Sequence, residues 1–147
     1  DGMFVPLHAP ARVSSRNIRD ELLKEDSLLP AIYLTQKLDI AVVGIGYPNE
    51  KSAIMATGYF KENEIESLID RKVAGELCMQ FYDIYGDTAP YKDDNNVIGM
   101  DISMLRSVPR SIAGGVEKLR AVRGAINGHY INTLITDIEC AEALISE

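Results

Sequence analysis

Apolar and polar positions cut the chain into short segments of changing period. Phe4-Val5-Pro6-Leu7 reads as a short strand, and Pro6, which has no N–H for a ladder, places it near an edge or strand end. After the turn His8-Ala9-Pro10, Ser14 or Ser15 can N-cap a first helix through Ile18 and Leu22. Ser27 can cap a second, carrying Ile32, Leu34 and Leu38, with Pro30 confined to its first turn. Ile40-Ala41-Val42-Val43 is a continuous apolar run ending in Gly44-Ile45-Gly46, the pattern of a parallel strand covered on both faces. Residues 61–70 predict an amphipathic helix with Ile65, Leu68 and Ile69 facing inward. Residues 74–82 predict a strand leading into a hairpin or extended loop at Tyr85-Gly86-Asp87, and Lys92-Asp93-Asp94-Asn95-Asn96 predicts a surface loop.

The last third is the most regular. Asp101 or Ser103 caps a short helix that ends before Pro109, Arg110-Ser111-Ile112-Ala113 is a strand, and Gly114-Gly115 breaks it. Residues 116–127 predict a helix stopped by Gly128 in the left-handed conformation that helix ends favour. Ile131 to Ile135 is a further strand, and Thr136-Asp137-Ile138-Glu139 matches a capping box opening a final helix through Leu144. Strand, helix, strand, helix is a βαβα unit, which implies a parallel sheet with right-handed crossovers.

Composition narrows the picture. At 147 residues, 46% hydrophobic and 25% charged, the chain suits one core-forming domain spanning residues 1–147 and argues against disorder or coiled coil. No apolar run approaches the roughly 20 residues of a membrane-spanning helix, so no membrane partner is expected. A net charge of −7 disfavours general nucleic-acid binding by this chain. Cys78 and Cys140 stand far apart, so a reduced, cytoplasmic setting is expected. The opening Asp1-Gly2-Met3-Phe4 carries neither initiator Met nor signal segment, and we expect a piece of a longer protein.

The candidate chemistry gathers at three places. Gly114-Gly115-Val116-Glu117-Lys118 sets two glycines between strand and helix with a lysine in the first turn. Glycines admit close approach of a ligand, and Lys118 adds positive charge to free N–H groups; a tight turn with a solvated lysine reads equally well. Five basic residues between Ser103 and Ala125 (Arg106, Arg110, Lys118, Arg120, Arg123), against Glu117 alone, make a local basic segment in an acidic chain. Gly44 and Gly46 close a strand where open α/β sheets place ligand crevices, or form a structural turn. Pro48 and Asn49 interrupt any dinucleotide fingerprint, so no nucleotide cofactor is expected. Glu76, an acid inside an apolar strand, points either into a site or to solvent. His8 and His129 have no companion ligands, and no metal site is expected.

The ordered set Pro6-Leu7-His8-Ala9-Pro10, Val42-Val43-Gly44-Ile45-Gly46, Gly58-Tyr59, Gly75-Glu76-Leu77-Cys78, Phe81-Tyr82-Asp83, Val97-Ile98-Gly99-Met100, Val108-Pro109-Arg110, Ala113 to Lys118 and Ile131 to Asp137 resembles the sugar-binding effector domain of SorC-type transcriptional regulators. That resemblance implies a Rossmann-like three-layer α/β fold with a mainly parallel sheet, like that of sugar-phosphate isomerases and coenzyme A transferases. It implies a bacterial, cytoplasmic sensor of a sugar or sugar phosphate, dimeric or tetrameric, with no catalytic residues. Gly44, Gly46, Glu76, Gly114, Gly115 and Lys118 would bind the ligand. The helix-turn-helix domain and the first effector-domain segment of the family have no counterpart in this sequence, so DNA contact would come only through a domain outside it. An alternative is a sugar-phosphate isomerase-like enzyme using Glu76 and Lys118; no second acid–base pair accompanies them.

Overall fold

The structure, a computed structural model, describes residues 2–49, 52–114 and 118–146. Its centre is a five-stranded mixed sheet in the order β3-β2-β1-β4-β5. Strands β1 (Ile40–Gly46), β4 (Arg110–Gly114) and β5 (Thr133–Ile135) run parallel, and β2 (Gly75–Leu77) and β3 (Gln80–Tyr82) form an antiparallel hairpin against the end of β1. The helix between β4 and β5 makes the expected crossover. It is α5 (Leu119–Asn127), and α6 (Ile138–Ile145) follows β5; its N-cap is Asp137, one residue later than the Thr136 of the expected capping box, and the Asp137 carboxylate accepts the Cys140 N–H at 2.8 Å.

Strand alternation divides β1 between two faces. Ala41, Val43 and Ile45 point to the main core, where Leu77, Ile102, Leu105, Ala121, Val122, Ala125, Tyr130 and Cys140 pack beneath α5 and α6. The Tyr82 hydroxyl donates to the Ala121 carbonyl at 2.9 Å and fastens the hairpin to α5. The opposite face carries Ile40, Val42, Gly44 and Gly46. Register places Val42 beside Ile112 and Gly44 beside Gly114, with Ile135 beyond Gly114. Here the expectation of cover on both faces fails for the described residues: Val42 is 78% and Ile135 66% exposed.

Over the hairpin the same face is covered. α3 (Ala53–Ala56) and α4 (Glu62–Asp70) bring Ile54, Phe60, Ile65 and Leu68 onto Phe81, with Val73 and Tyr91 completing a second cluster. Phe81 stacks edge-on to Phe60 and Tyr91, with ring centroids 5.4 and 6.4 Å away. Ile69, expected inward, is 42% exposed, because Ile65 and Leu68 already fill the contact stripe.

Several local expectations shift. Residues 4–7 form no strand, and the leading segment first pairs at Arg12, opposite Val97. Ser15 caps α1 (Arg16–Leu22) as expected, whereas Leu28, not Ser27, occupies the N-cap of α2 (Leu29–Thr35), with Pro30 in its first turn. The loop 92–96 is partly a 3₁₀ turn (Ala89–Asp94), and Asn96 is buried. The short helix capped by Asp101 is also 3₁₀, Ile102–Ser107. Of the helix predicted from Val116, residues 115–117 lie outside the described residues and α5 begins at Leu119. Gly128 closes α5 at φ −74, and the left-handed residue is His129 at φ 55. Gly128 is needed for room instead: a Cβ there would overlap the Tyr130 ring at Cε2 and stand 2.7 Å from its Cδ2. The strand predicted over 74–82 is two strands joined by Cys78-Met79, both at positive φ (53 and 60).

Candidate functional site

A cavity of about 250 Å³ opens where the covered and bare halves of that face meet. β1 supplies Gly46, the loop after it supplies Tyr47 and Asn49, and α3 with its N-cap supplies Ser52, Ala53 and Ile54. β2 supplies Glu76, and the N-cap of α5 supplies Lys118.

Glu76 lies opposite Gly46 in register, so its side chain stands on the same face as Val42 and Gly44. One carboxylate oxygen accepts the Met79 N–H at 2.9 Å. Burial raises the Glu76 pKa above the usual carboxylate value; the Met79 N–H and the charge of Lys118 oppose that rise without cancelling it. Lys118 meets the carbonyl of Ile45 with its ammonium at 2.9 Å. This bond carries its charge across to the end of β1, away from the positive end of α5. The cavity therefore holds a desolvated acceptor and a fixed cationic donor, the pair a polyhydroxy ligand uses.

Two further predicted residues continue this surface. Gly44 and Gly114 pair across β1 and β4, and among the described residues nothing lies within 4 Å of a Cβ built on Gly44. They make a floor without side chains, flanked by Val42 and Ile135, and Glu76 covers Gly46 at its edge. Gly115 lies outside the described residues. The basic segment does not converge here: among the described residues Lys118 alone of its five cations lines the cavity. Arg106 is turned to the Gly128 carbonyl (2.8 Å) and the Tyr130 ring.

Tyr47, Asn49 and Ser52 were not singled out as site residues from the sequence. Their position directly after a parallel strand's carboxyl end was the available signal. Burial and the neighbouring Glu76 push the Cys78 thiol up to about 11, which keeps it protonated near neutral pH. A larger hollow of about 440 Å³ lies beside Arg12, Tyr59 and Glu64, where the two terminal nitrogens of Arg12 are held by the Glu64 carboxylate (2.8 Å) and the Tyr59 carbonyl (2.6 Å). Among the described residues no His, Cys, Asp and Glu cluster could hold a metal ion, and no helix is long and apolar enough to cross a membrane.

Residues 1–146 match the family described as "Putative sugar-binding domain". The sorbitol operon regulator of Klebsiella pneumoniae is 32% identical over 138 residues, covering 92% of this chain and 44% of that protein. The transcriptional regulator LsrR of Escherichia coli K12 is 35% identical over 142 residues, covering 93% and 45%. Among solved structures, full-length SorC from Klebsiella pneumoniae superposes with a TM-score of 0.81 at 30% identity, over 92% of this chain and 45% of that one. A DeoR family regulator from Listeria monocytogenes gives 0.85 at 26% identity, over 94% and 57%. The chain spans about half the length of the curated relatives it matches.

Proposed function

The chain belongs to the sugar-binding domain family of bacterial transcriptional regulators, and from that premise we propose that its Glu76–Lys118 cavity takes a sugar, sugar alcohol or sugar phosphate as effector. The enzyme alternative finds no support among relatives that are all named as regulators. The observation that carries the proposal is the meeting of a half-buried carboxylate and a positioned ammonium at the edge of a glycine floor.

Hydroxyl groups would donate to Glu76 and accept from Lys118 while a carbon face lies over Gly44 and Gly114. Among the described lining residues Lys118 is the one cation, and Glu76 offsets it, which favours an unphosphorylated ligand. Within the longer protein this chain would be the later part of an effector domain. An earlier segment would cover Val42 and Ile135, because parallel sheets are stable with both faces buried. DNA contact would come from a separate helix-turn-helix domain of a cytoplasmic dimer or tetramer, whose geometry the ligand would bias.

A thermal-shift screen of hexitols, pentitols, aldoses and their phosphates tests the reading. We expect stabilisation by a member of the panel, lost in Lys118→Ala. Turnover of a sugar phosphate, or a response that survives Lys118→Ala, would overturn it.

A further inference from the structure

Gly46 was expected to touch ligand as part of a flexible strand end, yet it is regular β1 backbone and no positive φ accounts for the glycine. Glycine inside a strand weakens it unless another group must come close. Here the close group is Glu76. A Cβ built on Gly46 would overlap one Glu76 carboxylate oxygen, and would lie 2.7 Å from Cδ and 2.9 Å from Cγ. Three side-chain atoms of one residue thus occupy the volume that any other residue at position 46 would fill. For Gly44, two residues earlier on the same face, no described atom lies within 4 Å of such a Cβ, so the two glycines serve different ends.

The other side of the carboxylate is held as well. Glu76 accepts the Met79 N–H, and that N–H points at it because Cys78 and Met79 both adopt left-handed conformations, unusual for side chains of their kind. Beneath the turn, the side chain of Gln80, 4% exposed, donates to the Met100 carbonyl at 2.8 Å and accepts from the Ile102 N–H at 3.1 Å. The turn cannot shift to accommodate a displaced Glu76 without breaking these bonds.

We propose that Gly46 is a positioning residue whose missing side chain seats the Glu76 carboxylate against the Met79 N–H and so fixes the acceptor presented to the ligand. The proposal deepens the reading of this cavity and rests on it for the ligand's part. Pre-set geometry of this kind adds affinity by lowering the ordering cost of binding.

The test reads the Met79 amide by NMR hydrogen exchange in the 147-residue chain, with no ligand present. Exchange should be about tenfold faster in Glu76→Ala and in Gly46→Ala than in wild type, the factor of about 1.4 kcal/mol that one charge-assisted bond supplies. Adding Gly46→Ala to Glu76→Ala should change nothing further. Glu76→Asp, one methylene shorter, should restore part of the protection in the Gly46→Ala background. A Met79 amide unmoved by Gly46→Ala, or an equal effect of Gly46→Ala with and without Glu76, would overturn the proposal. If Gly46→Ala does not fold, folding of Gly46→Ala/Glu76→Ala supports the clash, and failure of both contradicts it. Sorbitol and sorbitol 6-phosphate titrated onto wild type test the ligand reading separately, because the amide measurement does not depend on them.

Discussion

One face of one sheet behaves in two ways. Over the hairpin it carries Phe81 and Glu76 under α3 and α4; over β1, β4 and β5 it carries Val42, Gly44 and Ile135 in the open. The strand chemistry is the same on both sides, so the difference lies in what the chain sends back across the face. Residues 53–70 return over the hairpin, and no described element returns over the parallel strands. The cavity sits on the boundary, where a carboxylate can be buried on one side and approached from the other. A site placed there needs no hole in the core, only an unfinished roof.

The sharpest way to break the comparison is to remove the covered half's central ring. Phe81→Ala should cost about 3–5 kcal/mol in denaturant unfolding, the range for deleting a buried aromatic side chain. Gln80→Leu comes next: it orphans the buried Ile102 N–H and Met100 carbonyl and should cost about 1–3 kcal/mol by the same measurement. Retention of wild-type stability in either variant would mean that the hairpin is not anchored as described.

The boundary itself should show in pH dependence. Glu76 is held above its ordinary value near 4.5, chiefly by burial. Between that value and the raised one the native state binds more protons than the unfolded chain, so this group's contribution to stability falls as pH rises through the window. Glu76→Gln removes that component. Its stability relative to wild type should therefore improve from pH 4 toward neutrality in a series of denaturant titrations. A flat difference would place the carboxylate in solvent. The smallest effect belongs to the open half: Val42→Thr should stay within about 0.5 kcal/mol of wild type, as exposed positions do. A loss comparable to that of Phe81→Ala would show that the face is covered in solution.

What could be read from the sequence follows the same division. The βαβα end, with Arg110–Ala113, the helix through Asn127 and the Asp137 cap, was legible because period, glycine breaks and capping residues are local signals. The apolar run 40–43 announced a parallel strand, but its cover depends on segments remote in sequence, so exposure of Val42 was not. The Cys78-Met79 turn escaped because neither residue favours positive φ; Glu76 and the Gln80 anchor hold it, and both act across space. Glu76 and Lys118 do come to one cavity. Residue type marked them as a carboxylate and a cation, but their meeting depends on β1 lying between β2 and β4. Gly46 lines the same cavity, but its pairing with Glu76 was not legible, because nothing in a sequence shows a missing Cβ's neighbour.

The central claim is that ligand engages the boundary cavity and its glycine floor. Amide chemical-shift mapping with the member of the sugar and sugar-alcohol panel that stabilises the chain tests it most directly. Shifts gathered at Gly44, Gly46, Tyr47, Glu76 and Lys118 are the predicted result. Shifts gathered at Arg12, Tyr59 and Lys61, with the Glu76 and Lys118 amides unmoved, would contradict it.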